Sequence, residues 1–299
     1  MNRRDILTSG LAAGTVAAIA TGRPAAARGR KPVTVTAGDG TRLFHRDWGE
    51  GQPVVFASSW ALSSEMWAYQ VADLSERGFR CIAFDRRGHG RSDDPGRGYD
   101  MDTLADDLAA VVDTLNLKDV ILVGHSMGGA EVIRYLGRHG TAKVRKVALV
   151  AAVAPYVVQT PDNPFGAPMA FHEATLTQYA ADFPKWAMDN QAAFFTPETS
   201  PAMKGWLTDQ LLATPVPVAI AAFRALIGQD LRPDLARIDR PTLIIHGDRD
   251  ASAPLAITGQ RLAAGVRGAT LKVYAGAPHG VFVTHMDRLN ADLADFFRT

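Results

Sequence analysis

The sequence predicts an α/β protein with a mostly parallel, eight-stranded sheet, helices on both faces and an inserted helical cap. Short apolar runs alternate with segments whose apolar residues recur every three or four positions, and one proline- and aromatic-rich segment interrupts the alternation. Of the 299 residues, 47% are hydrophobic and 21% charged, which suits one large domain over residues 28–299. The formal net charge of +1 favours a small-molecule partner over nucleic acid or a membrane surface.

Eight apolar runs are the predicted strands: 33–36, 43–46, 54–56, 81–84, 120–123, 147–150, 243–246 and 271–274. The first two are joined across Gly38-Asp39-Gly40, which predicts an antiparallel hairpin at the sheet edge. Helical patterns such as 65–76, 102–115 and 130–138 separate the later strands and predict parallel pairing. Cys81, the only cysteine, lies in the fourth run and is expected to be a buried, unreactive thiol.

Residues 155–235 are the predicted cap. Ten of the chain's 17 prolines fall between Ala154 and Arg240, and prolines at that density separate short helices. An insertion here emerges over the carboxyl edge of the sheet, where open α/β sheets bind ligands. We expect two or three of its aromatic residues to line a pocket, from the set Phe165, Phe171, Trp186, Phe194, Phe195, Trp206 and Phe223.

The candidate nucleophile is Ser126, in the motif Gly124-His125-Ser126-Met127-Gly128. This motif follows a predicted strand and precedes a helical pattern, which is the setting of a nucleophile elbow. The elbow needs Gly124 and Gly128 because strand and helix backbones approach closely around a strained serine. A serine hydroxyl is a weak nucleophile until a base takes its proton, so a histidine and a carboxylate should follow later in the chain.

The candidate base is His279, just after the eighth run, and the candidate acid that orients it is Asp250, after the seventh. Asp248 is the alternative acid, but its spacing from the strand better suits bonding to loop amides. Acyl transfer also needs donors to the developing oxyanion, and the backbone N–H groups of Met127 and Trp60 are the candidates.

Of the remaining histidines, His45, His139, His172 and His285 lie in no motif. His89, His125 and His246 are expected to be hydrogen-bonded structural residues. The sequence has no HExxH pair and no cysteine cluster, so we predict no metal. It has no glycine-rich phosphate loop either, and we predict no cofactor.

Residues 1–27 have the pattern of a signal peptide. Arg3-Arg4 precede a weakly apolar run, Ile6 to Ala20, and Pro24-Ala25-Ala26-Ala27 offers a cleavage site. The paired arginines favour the twin-arginine route, and we expect an exported, periplasmic or secreted protein after cleavage near Ala27. A retained membrane anchor is the alternative, although the run falls short of the roughly 18 to 20 residues that span a bilayer.

Motifs spread over residues 33–298 carry a family resemblance. They include Arg46 to Gly49, Phe84 to Ser92, Val123 to Gly129, Ile238 to Leu243 and Ala277 to Gly280. On these motifs the sequence resembles the bacterial aryl esterases and perhydrolases, also called cofactor-free (non-haem) haloperoxidases, of the α/β-hydrolase superfamily. The resemblance implies the α/β-hydrolase fold and hydrolysis of small, often aryl, carboxylic esters. It also implies peracid formation in many members, and the site residues Ser126, Asp250, His279, Met127 and Trp60.

Two positions depart from the family pattern. The family usually has His-Gly where this chain has Ser58-Ser59, and perhydrolase-like members often carry proline where it has Ala61. We therefore expect a serine hydrolase of aryl or short-chain esters in which perhydrolysis is weak. The open alternatives are a lactonase, an amidase or a carbon–carbon bond hydrolase on the same residues, and a low-turnover ligand-binding homologue.

Overall fold

The computed structural model describes residues 33–299, and the predicted signal peptide lies outside them. The strands of the sheet are β1 Thr34–Thr36, β2 Arg42–Trp48, β3 Gln52–Ala57, β4 Phe79–Phe84, β5 Val120–His125, β6 Val144–Val150, β7 Thr242–Gly247 and β8 Thr270–Tyr274. Their spatial order is β1-β2-β4-β3-β5-β6-β7-β8. Only the pairings of β2 with β1 and with β4 are antiparallel, so the predicted edge hairpin and the mostly parallel eight-stranded sheet are confirmed.

The helices within residues 33–299 are α1 Ala68–Glu76, α2 Met101–Thr114, α3 Met127–His139, α4 Met169–Asp189, α5 Pro201–Leu212, α6 Val216–Ile227, α7 Arg232–Leu235, α8 Gly259–Gly265, α9 Val281–Thr284 and α10 Met286–Arg298. Two short 3-10 turns, Ser64–Trp67 and Gln191–Ala193, accompany them. Successive strand residues point to opposite faces, so Leu122 joins the core beneath α2 and α3 while Ile121 and Val123 join the core beneath α1 and α10. Helices therefore cover both faces of the sheet, as predicted.

Helices α4, α5 and α6 lie between β6 and β7, in the segment predicted to be a cap. Helix α4 is two helical pieces joined at a kink, where Asp182 has φ −160° and ψ 83° two residues before Pro184. Within residues 33–299 no single helix is long and apolar enough to cross a membrane, although α5 and α6 together pass that test across an 89° bend.

Register places the loops of the site side by side. Strand β5 pairs with β3 on one side and β6 on the other, with Ala57 opposite Gly124 and Val150 opposite His125. Because the strands are parallel, their carboxyl ends share one edge of the sheet. The loops after β3, β5, β7 and β8 therefore converge on one region.

Candidate active site

Ser126 occupies a strained turn between β5 and α3. Its φ of +55° with ψ of −118° is a conformation that side-chain-bearing residues rarely adopt. A Cβ at Gly124 would lie 2.4 Å from the carbonyl oxygen of Gly128, and one at Gly128 would lie 2.2 Å from that of Ala57. Both glycines are required because three backbone segments meet there, as the elbow motif predicts.

A chain of hydrogen bonds runs from Ser126 through His279 to Asp250. The Oγ of Ser126 lies 2.9 Å from Nε2 of His279, and Nδ1 of His279 lies 2.7 Å from Oδ2 of Asp250. A carboxylate can only accept, so His279 carries its proton on Nδ1 and leaves Nε2 to accept from the serine hydroxyl. All three side chains are buried. This arrangement can deprotonate a serine as it attacks.

Asp250 is held as a carboxylate. Its Oδ1 accepts from the Ala253 backbone N–H at 2.7 Å, and Nε2 of His246 lies 3.3 Å from its Oδ2. Burial alone would raise the pKa of Asp250, but its electrostatic interactions and hydrogen bonds with His279 and His246 outweigh burial and hold that pKa well below its ordinary value. Asp250 is therefore ionised at neutral pH and can stabilise an imidazolium at His279.

Asp248, the alternative acid, is bonded elsewhere. Its Oδ1 accepts from the backbone N–H of Gly276 at 2.7 Å, which joins the loop after β7 to the loop after β8. Its side chain makes no hydrogen bond to His279 among the described residues. The geometry thus brings Asp250, and not Asp248, to the histidine.

The three histidines expected to be structural donate to backbone carbonyls. His125 donates from Nε2 to the His279 carbonyl at 2.9 Å, His246 from Nε2 to Ala253 at 2.7 Å, and His89 from Nδ1 to Arg87 at 2.9 Å. Burial lowers the pKa of His125 and of His89 to about 3 in each case, so both rings are neutral. His125 thereby fixes the backbone of His279 without adding a charge beside it.

The two candidate oxyanion donors are backbone N–H groups at the start of α3 and in the loop after β3. Met127 is the first residue of α3, and Trp60 lies in the loop after β3. Within residues 33–299, neither backbone N–H donates to a backbone or side-chain acceptor. The Trp60 indole is fixed separately, since its Nε1–H donates to the Ala219 carbonyl at 2.8 Å and its ring stacks on Tyr179 at 4.9 Å.

Sequence reasoning missed Arg86. This buried guanidinium donates to the carbonyls of Ser58 at 2.7 Å and Ser59 at 3.1 Å, the two residues before Trp60, and it pairs with buried Glu131 on α3. The Arg-Arg motif was visible in the sequence, but its partners lie 27, 28 and 45 residues away in the chain. Only the fold brings them together.

Ala61 has a backbone that proline could not adopt. Its φ is +54°, whereas the proline ring fixes φ near −65°. The Ala61 carbonyl accepts from the Thr214 hydroxyl at 3.1 Å, which ties this loop to the cap. The departure from the family pattern at this position is therefore accompanied by a left-handed turn directly after Trp60.

A cavity of about 650 Å³ opens above Ser126 and His279, between the sheet edge and the cap. Five of the aromatic residues considered in the sequence line it, namely Phe171, Trp186, Phe194, Phe195 and Phe223, so the expectation of two or three was wrong. The number is higher because α4, the turn after it and α6 all present rings to the same space. No aspartate, glutamate, lysine or arginine is among the described residues that line it.

The cap also contacts the loop that carries the candidate base. The backbone N–H of His279 donates to Ala193 at 3.2 Å, and that of Gly280 donates to Phe194 at 3.0 Å. The Phe194 ring packs edge-on against His279, with ring centroids 5.6 Å apart. The histidine is thus positioned from the sheet side by His125 and from the cap side by Ala193 and Phe194.

Possible metal ligands and Cys81 are the other groups that could carry chemistry. No group of three or more His, Cys, Asp or Glu side chains that could hold a metal ion occurs in the described part of the chain. Cys81 is buried, and burial raises the pKa of its thiol to about 12, so it is protonated and inert as expected.

Comparisons with known proteins show the family and the fold of the chain. Residues 52–286 match the model of the alpha/beta hydrolase fold family. The chain is 42% identical to a non-heme haloperoxidase of Rhodococcus erythropolis and 36% identical to a bifunctional esterase/perhydrolase of Acinetobacter calcoaceticus, in each case over 89% of this chain and 99% of the relative. Among solved structures, an esterase from Exiguobacterium antarcticum superposes with a TM-score of 0.86 at 32% identity, over 89% of this chain and 99% of that one.

Proposed function

This chain belongs to the non-haem haloperoxidase-like family of α/β hydrolases, and on that premise we propose that it cleaves small carboxylic esters through an acyl-enzyme on Ser126. The hydrogen-bonded series Ser126, His279 and Asp250, with separations of 2.9 and 2.7 Å, is the observation that carries the proposal.

In the acylation step, Oγ of Ser126 attacks the ester carbonyl carbon while Nε2 of His279 takes the hydroxyl proton. Ionised Asp250 stabilises the imidazolium that forms. The tetrahedral oxyanion accepts from the backbone N–H groups of Trp60 and Met127, each worth about 2.7 to 4 kcal/mol of barrier in such sites. Collapse of this intermediate breaks the bond to the alcohol, which leaves with the proton from His279.

In the deacylation step, water attacks the acyl carbon and gives a proton to His279. The carboxylic acid leaves and the proton returns to Ser126, so the enzyme is regenerated. Hydrogen peroxide in place of water would give a peracid. We propose that this is a minor reaction, because the left-handed backbone at Ala61 differs from the proline geometry typical of perhydrolase-like members.

The substrate class follows from the cavity. Its walls are apolar or neutral, so a charged acyl or alcohol group would lose hydration without gaining a partner. We therefore expect a neutral ester with an aryl or short alkyl group.

The test is steady-state hydrolysis of a p-nitrophenyl ester series by the full chain and by Ser126→Ala. We expect turnover by the wild type and a loss on the order of 10⁵- to 10⁶-fold in the variant, because the covalent step is removed. Equal hydrolysis by the variant would refute the proposal. No turnover by either protein would point to a lactone, amide or carbon–carbon bond, or to a ligand-binding role.

We also propose that the chain is exported after removal of residues 1–27. The support is the sequence alone, with Arg3-Arg4 before an apolar run and Ala25-Ala26-Ala27 after it. N-terminal sequencing of the protein from a cell fraction outside the cytoplasm should begin near residue 28. An intact N-terminus in the cytoplasmic fraction would contradict export.

A further inference from the structure

Arg86 forms a buried ion pair with Glu131, and such a pair is by itself weak evidence for a role in stability. The side chains of Arg86 and Glu131 are 2% and 1% exposed and form an ion pair. Burying such a pair costs desolvation that its attraction often fails to repay, and apolar replacements are frequently as stable. The second oxygen of Glu131 has no hydrogen-bond partner among the described residues, which increases that cost. A role in positioning accounts for the pair better than a role in stability.

Two of the Arg86 donors fix the loop before Trp60. Nη2 donates to the Ser58 carbonyl at 2.7 Å and Nη1 to the Ser59 carbonyl at 3.1 Å. The planar guanidinium therefore holds two successive carbonyls in one direction, which a lysine ammonium could not do with the same geometry. The Ser59 backbone N–H is also engaged, because it lies 3.1 Å from Sδ of Met66.

The Ser59 carbonyl and the Trp60 N–H belong to the same peptide unit. Among the described residues the one cis peptide is Ala154-Pro155, so the Ser59–Trp60 peptide is trans. In a planar trans peptide the C=O and N–H bonds point in opposite directions. Holding the carbonyl against Arg86 therefore directs the Trp60 N–H away from Arg86, and this N–H has no acceptor within residues 33–299.

The ion pair also joins this loop to the helix that follows Ser126. Glu131 lies one turn into α3, whose first residue is Met127, the other candidate donor. Gly128 packs directly on the loop, since a Cβ there would lie 2.7 Å from the Ser58 carbonyl oxygen. Arg86 and Glu131 thus link the two backbone segments that supply the two N–H groups.

We propose that Arg86, held by Glu131, is a positioning residue that orients the Trp60 N–H toward the oxyanion and couples the loop after β3 to the helix after Ser126. The inference rests on the proposed acyl-transfer function. Arg86 acts through the backbone and does not touch the substrate.

The neighbouring residue offers a matched control. Arg87 is 1% exposed and pairs with buried Asp107 at 2.6 Å, but its guanidinium donates to no atom of the loop from Ser58 to Trp60. We compare Arg86→Met/Glu131→Met with Arg87→Met/Asp107→Leu. Each double variant removes one buried pair. The Arg87 pair also releases Asp39, which lies 2.9 Å from the Arg87 guanidinium but is 34% exposed and therefore stays hydrated.

The measurements are kcat and KM for a p-nitrophenyl ester, and the inhibition constant of a trifluoromethyl ketone. The ketone forms a hemiketal oxyanion that uses the same donors as the transition state. For the Arg86 double variant we expect kcat to fall about 10- to 100-fold, with KM within about threefold of the wild-type value. This loss is smaller than the roughly 10²- to 10³-fold loss of kcat that follows removal of a whole oxyanion donor. Ketone affinity should fall by the same factor as kcat, and the Arg87 pair should leave both within about threefold.

Stability and function are separated by two further readouts. Rates are normalised to the folded fraction, measured by circular dichroism and by titration of the active serine with a fluorophosphonate. If the Arg86 double variant does not fold, Arg86→Lys, which keeps the charge but loses the fork, should show the same parallel loss of kcat and ketone affinity. Unchanged kcat in the Arg86 variants, or an equal loss of kcat in the Arg87 double variant, would overturn the inference. The proposed function would still stand in that case, provided that wild-type turnover is lost in Ser126→Ala.

Discussion

The carboxyl edge of the sheet and the cap meet at one cavity but are built differently. At the sheet edge, polar groups have fixed partners: Ser126 and Asp250 both bond to His279, and Arg86 holds the loop before Trp60. In the cap, rings such as Phe223 pack against other rings and make no directional bond. In the proposed reaction, the chemistry therefore depends on polar groups held in fixed geometry, whereas selectivity depends on the volume and shape of packed side chains. The two should respond differently to substitution.

After Ser126→Ala, the largest expected effect concerns the two acids in the loop after β7. Asp250→Asn should lower kcat by about 10⁴-fold, because the amide can no longer fix the tautomer and stabilise the charge of His279. Asp248→Asn is the matched control, since among the described residues the Asp248 side chain accepts a hydrogen bond only from the Gly276 backbone, and its loss should cost no more than a few-fold in kcat. Steady-state kinetics on both variants shows which aspartate orients His279. A larger loss of kcat for Asp248→Asn than for Asp250→Asn would assign that role to Asp248.

A cap substitution should have a smaller and substrate-dependent effect. Phe223 lines the cavity and contacts Trp60 and His172, so Phe223→Ala should change the ratio of kcat/KM for long and short acyl esters by roughly 10-fold. Phe165, half exposed beneath Arg261 and outside the cavity lining, provides the control variant Phe165→Ala. A uniform loss across all esters at Phe223 would show that the cap contributes to the chemistry itself.

The smallest expected effect is on stability in mild acid. Burial lowers the pKa of His89 to about 3, below the ordinary value of 6.5, so the unfolded chain binds this proton first. The contribution of neutral His89 to the free energy of unfolding is fully present above pH 6.5 and is lost as the pH falls toward 3. Between pH 7 and 5 the loss should be about 2 kcal/mol. Urea unfolding at both pH values should give a smaller difference for His89→Gln than for the wild type, and an equal difference would contradict the neutral state of His89.

The sequence predicted the parts of this molecule that depend on local pattern. The elbow around Ser126 was predicted from the spacing of glycines within one turn. The strands and the edge hairpin were predicted from apolar periodicity. The role of Arg86 was not predicted, because the carbonyls that it contacts lie 27 and 28 residues away in the sequence. No local sequence motif indicates contacts over that separation. The number of cavity rings was underestimated because the sequence does not show which faces of α4 and α6 turn inward.

The choice between Asp248 and Asp250 shows that sequence spacing can be insufficient even for residues two positions apart. Both Asp248 and Asp250 follow β7, and the spacing favoured Asp250 without excluding Asp248. The structure separates them because Asp248 turns toward Gly276 on the adjacent loop, whereas Asp250 turns toward His279. That choice depends on how two loops after neighbouring strands pack, which is a tertiary property.

The proposed acyl-enzyme on Ser126 is tested most directly by trapping it. A p-nitrophenyl ester with a branched acyl group that deacylates slowly should give a stoichiometric burst of p-nitrophenol. Acid quenching and peptide mass analysis should then locate the acyl group on Ser126, with no adduct in Ser126→Ala. Hydrolysis without a burst, or an acyl group attached to another residue, would contradict the assignment of Ser126 as the nucleophile.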